Sequence, residues 1–123
     1  MKEKEDDFQF DFERLKVYQF ALRFIDKIFE VYRRLPKEFK YSIGNNLLRA
    51  GLSIANNLAE GSGKISKKEK ARYFGISLDS TRECISVFNV LIRQSLIDKA
   101  VFKDLRKDGR EITSMITGLI NSL

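Results

Sequence analysis

The chain has 123 residues, with one Pro, one Cys, no Trp and no His; 33% of residues are charged and the net charge is +6 at pH 7. That length suits a single domain; without His the commonest general base and metal ligand are missing, and Cys84 alone builds neither an internal disulfide nor a zinc site. No run approaches the ~20 apolar residues of a membrane span and the acidic N-terminus is unlike a signal peptide, so the expectation is a cytoplasmic protein with no membrane partner, no metal and no cofactor.

Charge is unevenly spread. Residues 1–13 hold two lysines against six carboxylates, a net −4, so the remainder of the chain carries +10. An acidic tail on a basic body suggests a polyanion partner, or a tail that folds back over the basic surface. Solubility alone is the plain alternative. Residues 1–11 read as a mobile arm, with Phe8 and Phe10 as sticky content, and 12–123 as one helical domain.

A first helix is expected from Phe12 to Leu35. Its apolar positions fall on two adjacent rows. Leu15, Tyr18, Leu22, Ile25, Phe29 and Tyr32 form one; Val17, Ala21, Phe24, Ile28, Val31 and Leu35 form the other. Two seams exceed what a surface helix in a monomer needs, so one is expected in the bundle core and the other against a second subunit. Pro36 ends the helix, because the residue before a proline is pushed out of α geometry.

A second helix is expected from Ser42 to Glu60, stopped by Gly61 in the left-handed conformation. At 100° per residue, Asn46, Ser53, Asn57 and Glu60 share a narrow polar stripe with Arg49 at its edge, and apolar residues cover the rest. The stripe has three readings. It is solvated, or it is a hydrogen-bond network that sets helix or subunit register, or Glu60 is a catalytic carboxylate. The last wants a second titratable group nearby, and the stripe offers only Asn and Ser.

A basic run follows: Lys64, Lys67, Lys68, Lys70 and Arg72 around one Glu69. Cations at a helix N-terminus oppose its dipole, so helix stability explains them poorly. Phosphate contact is the functional reading and a solvated charged loop the plain one. Gly61-Ser62-Gly63-Lys64 is no P-loop, since the glycine spacing is wrong and no strand precedes it.

The third helix starts at a capping box, Ser66-Lys67-Lys68-Glu69. Its seam is Phe74, Leu78, Thr81, Ile85, Phe88, Ile92 and Ser95, with Tyr73, Ser80, Cys84, Val87 and Leu91 beside it. Cys84 reads as a small buried hydrophobe. Asp98 caps a fourth helix carrying Phe102, Leu105, Ile112, Ile116, Leu119 and Leu123. Gly109 interrupts that seam and suggests close packing. Two further basic groups are Arg33, Arg34, Lys37 and Lys40 at the first turn, and Lys103, Arg106, Lys107 and Arg110 along the fourth helix. No strand pattern competes. The fold class is all-α, an antiparallel up-and-down four-helix bundle.

The segment from Asn46 to Gly61, with its Ser53-Ile54, Asn57 and Ala59-Glu60-Gly61, resembles the signature of the small four-helix bundle proteins encoded in bacterial 23S rRNA intervening sequences. Phe12 to Gln19, Pro36, Ser66 to Glu69, Tyr73-Phe74, Ser80 and Glu83 continue the resemblance. The family usually carries a second basic residue where Leu48 stands; here the leucine adds to the apolar surface available for subunit contact. The resemblance implies a bundle that assembles into a ring, as a homopentamer, with no enzymatic activity. The accessory protein of diversity-generating retroelements, a basic pentamer that binds a reverse transcriptase and its RNA, is a distant relative in architecture.

The reading is therefore a non-enzymatic, homo-oligomeric helical scaffold that binds RNA or another polyanion through Lys64, Lys67, Lys68, Lys70, Arg72 and Arg49. The alternative is a protein-interaction accessory module, for example beside a reverse transcriptase.

Overall fold

A computed structural model describes residues 7–123. Residues 1–6 of the expected arm lie outside the described residues. The chain forms four long helices: α1 (Lys16–Arg34), α2 (Asn45–Gly63), α3 (Lys67–Arg93) and α4 (Lys99–Asn121). There is no strand among the described residues. Each helix packs on the next, and α1 closes the square against α4. The α1–α2 side of the bundle is therefore opposite the α3–α4 side.

The helix starts follow from local chemistry. Ser66 Oγ accepts from Glu69 N at 3.1 Å and Asp98 Oδ1 accepts from Val101 N at 2.8 Å, so both expected caps form. Only the serine half of the expected capping box is present; the Glu69 carboxylate lies 3.9 Å from Arg72 instead. Leu35 is extended ahead of Pro36 and ends α1 at Arg34. At its other end α1 begins at Lys16 rather than Phe12, because Leu15 is extended and a separate 3-10 turn, Asp11–Arg14, precedes it. The rings of Phe8, Phe10, Phe12 and Tyr18 stack in series across this entry. Between α1 and α2 a helical turn, Lys37–Phe39, runs through a π turn, Lys40–Gly44, into α2.

Two expectations about helix ends are corrected. Gly61 does not stop α2: the helix continues to Gly63, and no described glycine has positive φ. Gly61 is buried, and a Cβ there would lie 2.6 Å from Phe74 Cε1. Its missing side chain serves close helix packing, not a turn. Ser95 belongs to no seam. It is exposed at φ 58°, just beyond α3, while Leu96 N reaches back to Leu91 O at 2.9 Å. That six-residue closure is a Schellman stop, with a serine where glycine is usual.

One row of α1 is wholly in the core: Val17, Ala21, Phe24, Ile28, Val31 and Leu35 are all buried. They meet Leu47, Ile54 and Leu58 of α2, Phe74, Phe88 and Leu91 of α3, and Leu105, Ile112 and Ile116 of α4. Phe24 and Phe88 pack edge to face at the centre, 6.0 Å between centroids. Gly109 allows α3 and α4 to approach as expected, since a Cβ there would strike Ile85 Cδ1.

Cys84 is fully buried, as expected of a small hydrophobe. Burial pushes its thiol up from 9.0 to about 12, and the adjacent Glu83 carboxylate adds to the shift. The folded state thus keeps a proton that the unfolded chain gives up earlier. This contribution to stability is complete below pH 9 and is lost as pH rises from 9 to 12. Thermal melts at about pH 8 and about pH 10.5 check this: Cys84→Ala is expected to lose less melting temperature over that interval than the parent protein. Lys27, held above its usual range by hydrogen bonds to Asp104 and Asp108, destabilises at alkaline pH in the same direction. It is common to both proteins and cancels.

Candidate functional site

The polar stripe of α2 faces α3. Ser53 Oγ and Ser80 Oγ are 2.7 Å apart, one hydroxyl donating to the other. Asn57 Nδ2 donates to Ser53 O at 2.8 Å and to Ser53 Oγ at 3.0 Å. Arg49 Nη2 donates to Asn46 Oδ1 and to Glu83 Oε2, each at 2.8 Å. Deeper between the same helices, Ser77 Oγ donates to Ile54 O at 2.7 Å, and Thr81 Oγ1 to Ser77 O at 3.0 Å. Among the described residues no buried side-chain polar atom lacks a partner.

This geometry fits the hydrogen-bond reading of the stripe. Serine hydroxyls and the Arg49–Glu83 pair bridge the two helices, the Asn57 amide braces Ser53 within α2, and a one-turn slip of α2 on α3 would break every cross-helix bond at once. Glu60 falls outside the network. It is exposed, and its charged neighbour is Lys64 at 3.7 Å, one turn along the same helix. No group of three or more His, Cys, Asp or Glu among the described residues is arranged to hold a metal.

Ser77 carries no mark in the sequence reading, yet it makes the deepest of these contacts. A signal was available: Ser77, Ser80 and Thr81 recur at three and four residues, the helical spacing of one face. Ser80 stands in the second row expected on the third helix and in the family resemblance, and Glu83 in the resemblance alone. Their partners, Ser53 and Arg49, are stripe residues.

The basic run lies at the α2–α3 end of the bundle. Lys64 Nζ and Arg72 Cζ sit 5.0 Å and 5.1 Å from the Tyr73 ring centroid, so two cations share one aromatic ring. Lys70 Nζ donates to Ser62 O at 2.9 Å and braces the end of α2. Lys67 and Lys68 are exposed and make no ion pair among the described residues. Ile65 stands between them and Lys64, 99% exposed. Arg49 does not join this cluster: fifteen residues of helix, about 22 Å, separate it from Lys64.

The second row of α1 is only partly covered. Ile25 is buried against the Gly51 position of α2. Its neighbours one turn either way, Leu22 and Phe29, remain 37% exposed and half-buried. On α2, Leu48 is half-buried and Leu52 is 47% exposed. Together they make an apolar strip along the α1–α2 side.

Comparison with known proteins agrees with the architecture. A family model described as 23S rRNA-intervening sequence protein matches residues 13–118. A solved structure from Bacteroides thetaiotaomicron, described as a protein with unknown function from the S23 ribosomal protein family, is similar with a TM-score of 0.79 and 25% identity. The match covers 85% of this chain and 95% of that one. A search of curated proteins finds no match. With the four helices, the α2 stripe and the family model in agreement over most of its length, the chain belongs to the 23S rRNA-intervening sequence protein family.

Proposed function

We propose that this protein is a non-enzymatic, homo-oligomeric helical scaffold that binds RNA through basic surfaces, in a ring of five as the family resemblance suggests. The observation that carries the reading is a surplus of cations that the fold does not use. Described ion pairs engage Lys27, Arg33, Arg49, Lys64 and Arg72. The other cations of the described body make no ion pair, and most of them, Lys67 and Lys68 included, are exposed. A polyanion is the complement of such a surface, and binding would rest on charge and shape rather than base reading. The α2–α3 network, with its Glu83 carboxylate held by Arg49, and the exposed Glu60 beside Lys64 give no support to acid–base chemistry.

Electrophoretic mobility of a structured RNA tests this. Retardation is expected at low salt and is expected to fade steeply as salt rises. Replacing Lys64, Lys67 and Lys68 with Glu is expected to weaken binding more than about tenfold. No retardation at low salt would defeat the reading. The exposed strip of Leu22, Phe29, Leu48 and Leu52 favours a second reading, a protein-interaction accessory module such as a reverse-transcriptase partner. Under that reading, partner binding survives the same three substitutions.

A further inference from the structure

We infer that the groove between α3 and α4 is a track for the phosphate backbone of a nucleic-acid strand. The inference rests on the RNA-binding reading and gives it a place other than the α2–α3 turn. Arg82 and Asn89 of α3 line one wall, seven residues apart on the same face. Lys103, Arg106, Lys107 and Arg110 of α4 line the other at spacings of three and four. The open groove measures about 710 Å³, and its lining holds five cations and no carboxylate.

The fold brings these cations together. Gly109 lets α4 settle onto Ile85, so residues on the outer edges of both helices face one cleft. Arg106 Nη1 donates to Asn89 Oδ1 at 2.9 Å across it, and its guanidinium lies 5.6 Å from the Phe102 ring centroid. Arg82, Lys103, Lys107 and Arg110 make no ion pair among the described residues. Like charges at these helical spacings repel, so stability of α4 does not account for them.

The lining selects the occupant. Arg, Lys, an amide and the hydroxyl of Ser86 are the donors that bind phosphate oxygens, while the Thr113 hydroxyl is turned to Arg110 O at 2.9 Å. Lys103, Lys107 and Arg110 follow one another at about 6 Å and about 4.5 Å along the helix axis, a row of cations that runs lengthwise in the groove as a strand backbone would. An acidic peptide would want apolar anchor pockets, and the one aromatic ring here is covered by Arg106. The body of a second copy carries a net +10 and would set like charge against these five cations. The apolar strip lies on the opposite, α1–α2 side of the bundle.

The test is the salt dependence of oligouridylate binding by the full chain and by a variant with Lys103, Lys107 and Arg110 changed to Gln. These side chains face solvent, and circular dichroism is expected to be unchanged. The variant is expected to bind at least about tenfold more weakly, with the slope of log affinity against log salt lower by about 2. A variant that keeps the parent affinity and slope, while the parent binds, overturns the groove alone. A parent that does not bind oligouridylate at low salt overturns both the groove and the reading beneath it. Polyglutamate is expected to compete poorly at equal charge; displacement of the RNA by it would overturn the phosphate assignment.

Discussion

Phe24→Ala is expected to destabilise the bundle by about 3–5 kcal/mol. Phe24 is fully buried in the middle of α1. Its ring meets Phe88 of α3 edge to face and lies 4.0 Å from where a Gly109 side chain would begin, so it touches the junction of α1, α3 and α4. Removing it costs the transfer energy of the ring and leaves a cavity that three tightly approached helices cannot close. The loss is a large part of the roughly 5–15 kcal/mol that holds a domain of this size. Thermal unfolding should therefore fall by about 10–25 °C, read by circular dichroism. A change below about 5 °C would mean that the centre of the bundle is packed otherwise than described.

The second large effect concerns assembly. Leu22→Glu combined with Leu52→Glu is expected to leave the protomer folded and to weaken self-association by roughly a hundredfold or more. Both side chains keep access to solvent in the protomer, 37% and 47% exposed, so a glutamate at either place can reach water. If they are covered between subunits, each leucine has only its remaining exposed surface to bury, which contributes about 0.6–1.4 kcal/mol to the interface. Losing both amounts to about 1–3 kcal/mol, roughly one to two powers of ten in a dissociation constant, and the cost of desolvating two carboxylates at the interface adds to it. Retained helicity with a lower mass in solution is the expected pair of results. An unchanged mass would remove the α1–α2 strip from the interface.

The parts of the fold legible in the sequence were those written in local chemistry. Pro36, Ser66 and Asp98 mark ends that the structure keeps, because a proline or a side-chain cap acts on its own few neighbours. The two apolar rows of α1 were also legible, and one of them is the buried row. Gly61 was misread for the opposite reason. Its role depends on the Phe74 ring of the next helix, and nothing within α2 tells a glycine that stops a helix from one that admits a neighbour. Ser95 was misread as seam because a left-handed serine carries no sequence mark. The candidate site divides the same way. The α2 stripe was visible by periodicity, but its partners Ser77 and Ser80 look like ordinary helix. Arg49 lies on the right face and too far along the helix to join Lys64. Arg82 sits twenty-one residues before Lys103 in the chain and shares a groove with it only after α3 and α4 pack.

Both the scaffold reading and the assignment of opposite faces, apolar on α1–α2 and cationic on α3–α4, require that copies of the chain associate. Sedimentation equilibrium of the full chain at micromolar concentration measures this most directly. The account predicts a species whose mass is a multiple of the 14.3 kDa protomer, persisting on dilution. A single folded 14.3 kDa species at every concentration would contradict it.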